Sequence, residues 1–241
     1  MTTRIATLAA VLAVASALAA SGCDANGAGA DSESTLTAAA VSAVVIAGNQ
    51  DQPGSLVVDD SYVYFLAFGD AVTHGSVRRV PKLGGRVTIL ADGESIPGTL
   101  VADATRLYWT SNNYEGSHNG AVRSVAKSGG RVTSLASGLS SARGLTADAN
   151  RLYFATDEYI VALSKLGGVP VPLAAARCVN AGASDSTTIY WSENCVMFPP
   201  QGVFAVSKLG GVAVKLSNDA PGALLADGAN VYWVDAGLVK A

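Results

Sequence analysis

Charge of either sign, histidine and cysteine are all scarce in this chain. Its 241 residues include 16 Lys or Arg against 19 Asp or Glu, for a net charge of −3. A nucleic-acid binder needs a basic footprint, and this balance excludes one. Two histidines and three cysteines are too few for a His-rich metal centre or a zinc ribbon. Charged residues make up only 15% and hydrophobic residues 49%, which excludes wholesale disorder. There is no HExxH helix and no GxSxG nucleophile elbow. The stretch GSHNG (116–120) puts His118 where the serine would stand. No cofactor is expected.

What is present begins with an address. Residues 1–23 read MTTRIATLAAVLAVASALAASGC, with Arg4 as the only charge before a small, apolar run from Ile5 to Ala20. That run is too short and too rich in alanine for a membrane span, and it has the layout of a secretory signal. Its end, Ala20-Ser21-Gly22-Cys23, resembles the lipobox of bacterial lipoproteins, with Ala20 where that family prefers Leu. The resemblance implies a signal peptide over 1–22 and acylation of Cys23, which would anchor the chain to a membrane without spanning it. A plain cleaved signal is the other reading. Residues 23–40 are then a small, polar tether, and residues 41–241 one folded domain. The expected location is the exported, membrane-anchored side of the cell envelope. Cys178 and Cys195 remain in an oxidising compartment and are expected to be bridged. Two separate buried thiols are the alternative.

Internal similarity is the strongest signal. Five stretches align without a gap: 56–68, 100–112, 145–157, 182–194 and 224–236. Each carries Asp at its fourth position (Asp59, Asp103, Asp148, Asp185, Asp227). Tyr follows five residues later, and the next slot holds Phe65, Trp109, Phe154, Trp191 or Trp233. After the first four copies comes an alternating apolar segment around a Gly-Gly pair, as in VRRVPKLGGRVTIL (77–90). Glycine supplies the positive φ of a tight turn, so this segment predicts a hairpin. Each repeat therefore reads as four short strands: a before the Asp, b through Tyr-Trp, and c and d flanking Gly-Gly. The aspartates are 44, 45, 37 and 42 residues apart, the length of one β-propeller blade.

The Tyr-Trp motif resembles the YWTD repeats of the low-density-lipoprotein-receptor class of propellers, over nearly all of residues 41–241. Its closing Asp is matched by Asp235, and partly by Glu193. The fold expected is all-β, with about five four-stranded blades. The fifth copy supplies three strands, and VSAVVI (41–46) aligns as an unpartnered strand d, Ile46 lying 13 residues before Asp59 as Leu90 does before Asp103. That segment is expected to close the last blade and remove open sheet edges. A truncated six- or seven-bladed propeller is the alternative.

Antiparallel order places the b–c and d–a connections at one end, and the a–b and c–d turns at the other. Length varies mainly in the b–c loops, which is where a rigid scaffold carries binding. The binding-face candidates are His74, Asn113, Tyr114, Glu115, His118, Asp157, Tyr159, Met197 and Phe198. Tyr, Phe and Met are suited to act as interface anchors. The opposite end carries Lys82, Lys127, Lys165 and Lys208, with Arg86 and Arg131 after them. This ring could meet an anionic lipid or polymer, but the repeated aspartates share that end and can neutralise it. The repeated Asp is read as a turn acceptor, and the Tyr-Trp slot as packing between blades.

The function expected is non-catalytic: a monomeric, lipid-anchored module binding another envelope protein or an extracellular polymer, without nucleic acid and without a bound metal. The alternative is a metal-assisted lyase or hydrolase in which His74 and His118 act with Asp70 or Glu115.

Overall fold

The computed structural model describes residues 43–69, 75–112, 120–195, 201–235 and 237–241, and among these there is no helix. The first blade is β1 (Pro53–Val58), β2 (Tyr62–Ala67), β3 (Gly75–Pro81) and β4 (Thr88–Glu94). The second is β5 (Pro97–Ala102), β6 (Arg106–Ser111), β7 (Gly120–Ala126) and β8 (Thr133–Leu139). The third is β9 (Arg143–Ala147), β10 (Arg151–Ala155), β11 (Tyr159–Ser164) and β12 (Val171–Ala175). The fourth is β13 (Val179–Ser184), β14 (Thr188–Glu193), β15 (Gly202–Ser207) and β16 (Val214–Ser217). The fifth is β17 (Leu224–Ala226), β18 (Val231–Asp235) and β19 (Leu238–Lys240). Every sheet is an antiparallel meander in chain order. The four Gly-Gly pairs make the c–d turns with positive φ, 81° and 130° at Gly84 and Gly85, so a side chain there would be strained.

Strands β1, β5, β9, β13 and β17 pack side by side in that order, which makes strand a innermost and strand d outermost in each blade. Neighbouring residues on a strand point to opposite faces. The Tyr of one blade therefore meets the aromatic ring of the next. Tyr64 shares a buried cluster with Trp109, Tyr108 with Phe154, and Tyr153 with Trp191, while Tyr190 packs on the cluster of Trp233. The core is thus four layers between blades, as expected from the repeat, and each buried ring contributes on the order of 2–3 kcal/mol.

The fifth sheet departs from expectation. It has three strands, and no described residue of 43–50 forms a strand. Ile46 nonetheless lies where a strand d of a preceding blade would lie. Its backbone flanks Gly84 at 3.6–3.7 Å from a Cβ built there, as Leu135 flanks Gly167 and Leu173 flanks Gly210. Register relative to the first blade is kept, but among the described residues no strand pairing joins this segment to β19.

The repeated Asp does more than cap its turn. In each blade one oxygen accepts the backbone N–H groups two and three residues on, as Asp59 does from Ser61 and Tyr62. The other oxygen accepts the Tyr hydroxyl, at 2.9 Å from Tyr64, 2.8 Å from Tyr108 and 2.7 Å from Tyr153. A lysine from the following blade then completes a clasp: Lys127 on Asp59, Lys165 on Asp103 and Lys208 on Asp148, at 3.0, 3.0 and 3.4 Å. Each ammonium also lies over the clasped tyrosine ring, 4.9–5.3 Å from its centroid. Lys82 sits in the same register on the first blade, yet it is exposed.

Burial alone would raise the Asp59 carboxyl, but the N–H groups of Tyr62 and Ser61, with Lys127 and Tyr64, hold it down at about 2. Asp148 is held at about 2 by the equivalent set. Burial and then the Asp59 hydrogen bond push the Tyr64 hydroxyl up to about 12. The carboxylates' contribution is present above their ordinary value near 4 and is lost as pH falls through about 2. The tyrosine's contribution is present below pH 10 and is lost as pH rises towards 12. These are two views of one hydrogen bond and do not add. Denaturant midpoints should stay flat from pH 5 to 9 and fall below pH 4, with each clasp contributing on the order of 1 kcal/mol after solvent screening. An Asp59→Asn, Asp148→Asn variant should lose part of the acid slope; an unchanged slope would remove the clasps as its cause.

A second slot varies between blades. On the preceding-blade side, Trp109 Nε1 donates to Glu94 Oε2 at 2.8 Å, and Arg123 Nη1 donates to Glu94 Oε1 at 2.7 Å. Trp233 and Lys240 meet on Asp219 in the same way. The first blade has Phe65, with Arg78 donating to Gln50 Oε1 at 2.8 Å. The third has Phe154, Val161 and Leu139, an apolar trio in the register of Trp109, Arg123 and Glu94. The fourth stacks Trp191 on Phe204 and turns its Nε1 to Glu193.

Candidate functional site

Strand order brings the b–c and d–a connections to one end. There an open cavity of about 610 Å³ is lined by Ser141, Arg143, Thr156, Asp157, Glu158, Arg177, Cys178 and Val179. Three connections build it. The first, between β8 and β9, gives Ser141 and leads into Arg143. The second, between β10 and β11, gives Thr156, Asp157 and Glu158. The third, between β12 and β13, gives Arg177 and Cys178.

Each wall is fixed by local bonds. The β10–β11 turn is tied by Thr156 N to Tyr159 O at 2.9 Å, and by the Thr156 hydroxyl, which accepts from Tyr159 N. Asp157 N donates to Ser140 Oγ at 3.2 Å, joining that turn to the first connection. Ala176 N donates to Glu158 O at 2.9 Å, joining it to the third. Arg177 N donates to Glu193 Oε1 at 3.1 Å, and the Glu193 carboxylate is itself buried against Trp191. Cys178 and Cys195 form the expected disulfide, with Cα atoms 5.3 Å apart, and Asn194 N donates to Cys178 O beside it. Cys178 is held at φ 49°, a left-handed conformation that a non-glycine residue keeps only under such constraint.

Arg143, Asp157, Glu158 and Arg177 are exposed on this fixed frame. Guanidinium groups can fork onto a carboxylate, phosphate or sulfate, and the two carboxylates can take cations or hydroxyl donors. With Ser141 and Thr156 between them, the arrangement suits a polar ligand bearing charge. The lining contains no histidine.

Of the candidates from sequence, Asp157 lines this cavity. Tyr159 opens β11 next to it and is exposed. Among the described residues, no group of three or more His, Cys, Asp or Glu is placed to hold a metal ion. His74, Asn113, Tyr114, Glu115, His118, Met197 and Phe198 lie outside the described residues, as do Asp70, Cys23, the signal segment 1–22 and the tether 23–40. Sequence reasoning missed Ser141, Arg143 and Arg177. Ser141 and Arg177 stand in d–a connections and Arg143 opens β9 just after one; these connections share this end but vary little in length, so a search guided by loop length passes over them. The b–c turn neighbours Thr156 and Glu158 carried no signal of their own.

No family model matches the chain, and no curated protein matches it. Solved structures do. One chain in the crystal structure of a nidogen/laminin complex is 19% identical over 76% of this chain and 72% of its own, with a TM-score of 0.61. A gluconolactonase from Xanthomonas campestris is 15% identical over 75% of this chain and 68% of its own, at 0.54. The extracellular domain of a hybrid two-component system from B. thetaiotaomicron is 10% identical, covering 75% of this chain and 26% of its own, at 0.56. At these identities the likeness concerns the fold alone. Repeat, blades and neighbours agree: the chain is a β-propeller whose blades repeat an Asp and a Tyr-Trp or Tyr-Phe pair.

Proposed function

We propose that this protein is an exported, lipid-anchored propeller that binds another envelope protein or an extracellular polymer, without catalysis, on the face formed by its b–c and d–a connections. The observation that carries this reading is the cavity itself, a preorganised polar surface with Arg143 and Arg177 exposed over a frame tied by a disulfide. That a chain of similar fold was solved within a nidogen/laminin complex supports the protein-binding part of this reading. The anchor rests on the signal-like segment ending at Cys23.

Two measurements test it. In cells, the wild-type chain should take up labelled fatty acid and fractionate with membranes, and Cys23→Ser should be unlabelled and soluble. Against a panel of purified envelope polymers and surface proteins, an Arg143→Ala, Arg177→Ala variant should bind at least tenfold more weakly, about 1.4 kcal/mol or more, with an unchanged melting temperature. Turnover of a lactone or glycan by the wild type, lost in His74→Ala or His118→Ala, would replace binding with catalysis.

A further inference from the structure

Leu83, Leu166 and Leu209 stand at the tips of the c–d turns of the first, third and fourth blades, and they are 100%, 96% and 94% exposed. Scattered exposed leucines need no explanation. Three in one register of a turn, a position that polar residues usually fill, do. Val169 and Val212 follow two of these turns at 87% and 90% exposure. The tips share one end of the propeller and lie at its outer rim, because strands c and d are the outer strands of each sheet.

Charge and chain path point the same way. Lys127, Lys165 and Lys208 are neutralised in their clasps, whereas Lys82 and Arg86 on the first leucine turn, and Arg131 on the second blade's c–d turn, are exposed. The exposed Asp60 and Asp227 belong to a–b turns, nearer the centre because strand a is innermost. The chain also enters the domain at this end, with Ile46 against Gly84 in the first leucine turn, and Val44 and Val45 are 79% and 82% exposed just before it. An anchor at Cys23 would tether the domain from this end, through a chain that can span at most about 70 Å to Val44.

We propose that the rim bearing Leu83, Leu166 and Leu209, with Lys82, Arg86 and Arg131, rests on an anionic lipid surface and holds the Arg143–Arg177 cavity away from the membrane. This rests on the lipid-anchor reading above. Leucines at turn tips enter the headgroup region, and the cations add attraction to anionic lipid.

The test uses residues 23–241 with Cys23→Ser, which removes both the acyl contribution and the apolar segment 1–22, and vesicles of either zwitterionic phospholipid or zwitterionic phospholipid with one quarter anionic lipid. Co-sedimentation with the anionic vesicles is expected. It should fall at least tenfold in Leu83→Ser, Leu166→Ser, Leu209→Ser, and at least threefold in Arg86→Gln, Arg131→Gln, while melting temperatures stay unchanged. No sedimentation, or sedimentation indifferent to the leucines, overturns the proposal. Fatty-acid labelling of the wild type is scored separately: a labelled chain whose rim ignores vesicles sinks the rim and keeps the anchor, and an unlabelled chain sinks the anchor.

Discussion

Arg123→Val alone should destabilise the protein by about 3 kcal/mol, whereas the triple change Trp109→Phe, Glu94→Leu, Arg123→Val should return it to within about 1 kcal/mol of wild type. The Glu94 side chain is only 1% exposed and is held by Arg123 and Trp109. Removing the arginine leaves a buried carboxylate with, among the described residues, the single neutral donor Trp109, which is costly. The triple change copies the third blade, where Phe154, Leu139 and Val161 fill the same three positions without a polar atom to satisfy. Urea midpoints of the single, double and triple variants decide it. If Arg123→Val proves neutral, the Glu94 site is less desolvated than its geometry indicates. If the triple variant is as weak as the single one, the slots of different blades are not interchangeable.

That slot also marks the boundary of what could be read from sequence. The blade, the Gly-Gly turns and the meaning of the Tyr-Trp pair are short-range, periodic signals, and five copies reinforce one another. The partners of Trp109, Trp191 and Trp233 are not periodic. The glutamate that ends the preceding blade's strand d serves the first, a glutamate two residues along the same strand the second, and a connector aspartate the third. Lys127, Lys165 and Lys208 were legible as neighbours of aspartates at one end. That each reaches back to the preceding blade, 60 to 68 residues away, depends on blade-to-blade packing that a strand pattern does not contain. The fourth strand of the fifth blade was expected from register alone. Ile46 keeps that register against Gly84, but register on one neighbour does not oblige pairing with the other. The site was legible as a face and only in part as residues: Asp157 was found, while Arg143 and Arg177, at and beside d–a connections, were not.

Breaking the Cys178–Cys195 bond, by Cys178→Ala with Cys195→Ala or by reduction, should cost about 3 kcal/mol for a loop of 17 residues. The more telling effect is local. The bond closes the third blade's exit onto the end of β14 beside Arg177, whose N–H rests on the buried Glu193. Without it, the left-handed Cys178 loses its constraint, and the relaxed connection carries Arg177 away from Arg143. Amide exchange should therefore quicken at Arg177–Val179 and Asn194 under native conditions, while the first and second blades stay as protected as in the wild type. Ligand binding at the cavity should weaken even at temperatures where the variant is fully folded. Equal acceleration across all blades would make the bond a global staple without a special tie to the site. Unaltered exchange at Arg177 would mean that the hydrogen bonds from Arg177 N to Glu193 and from Asn194 N to Cys178 O hold the wall alone, and the arginine pair would then remain in place after reduction.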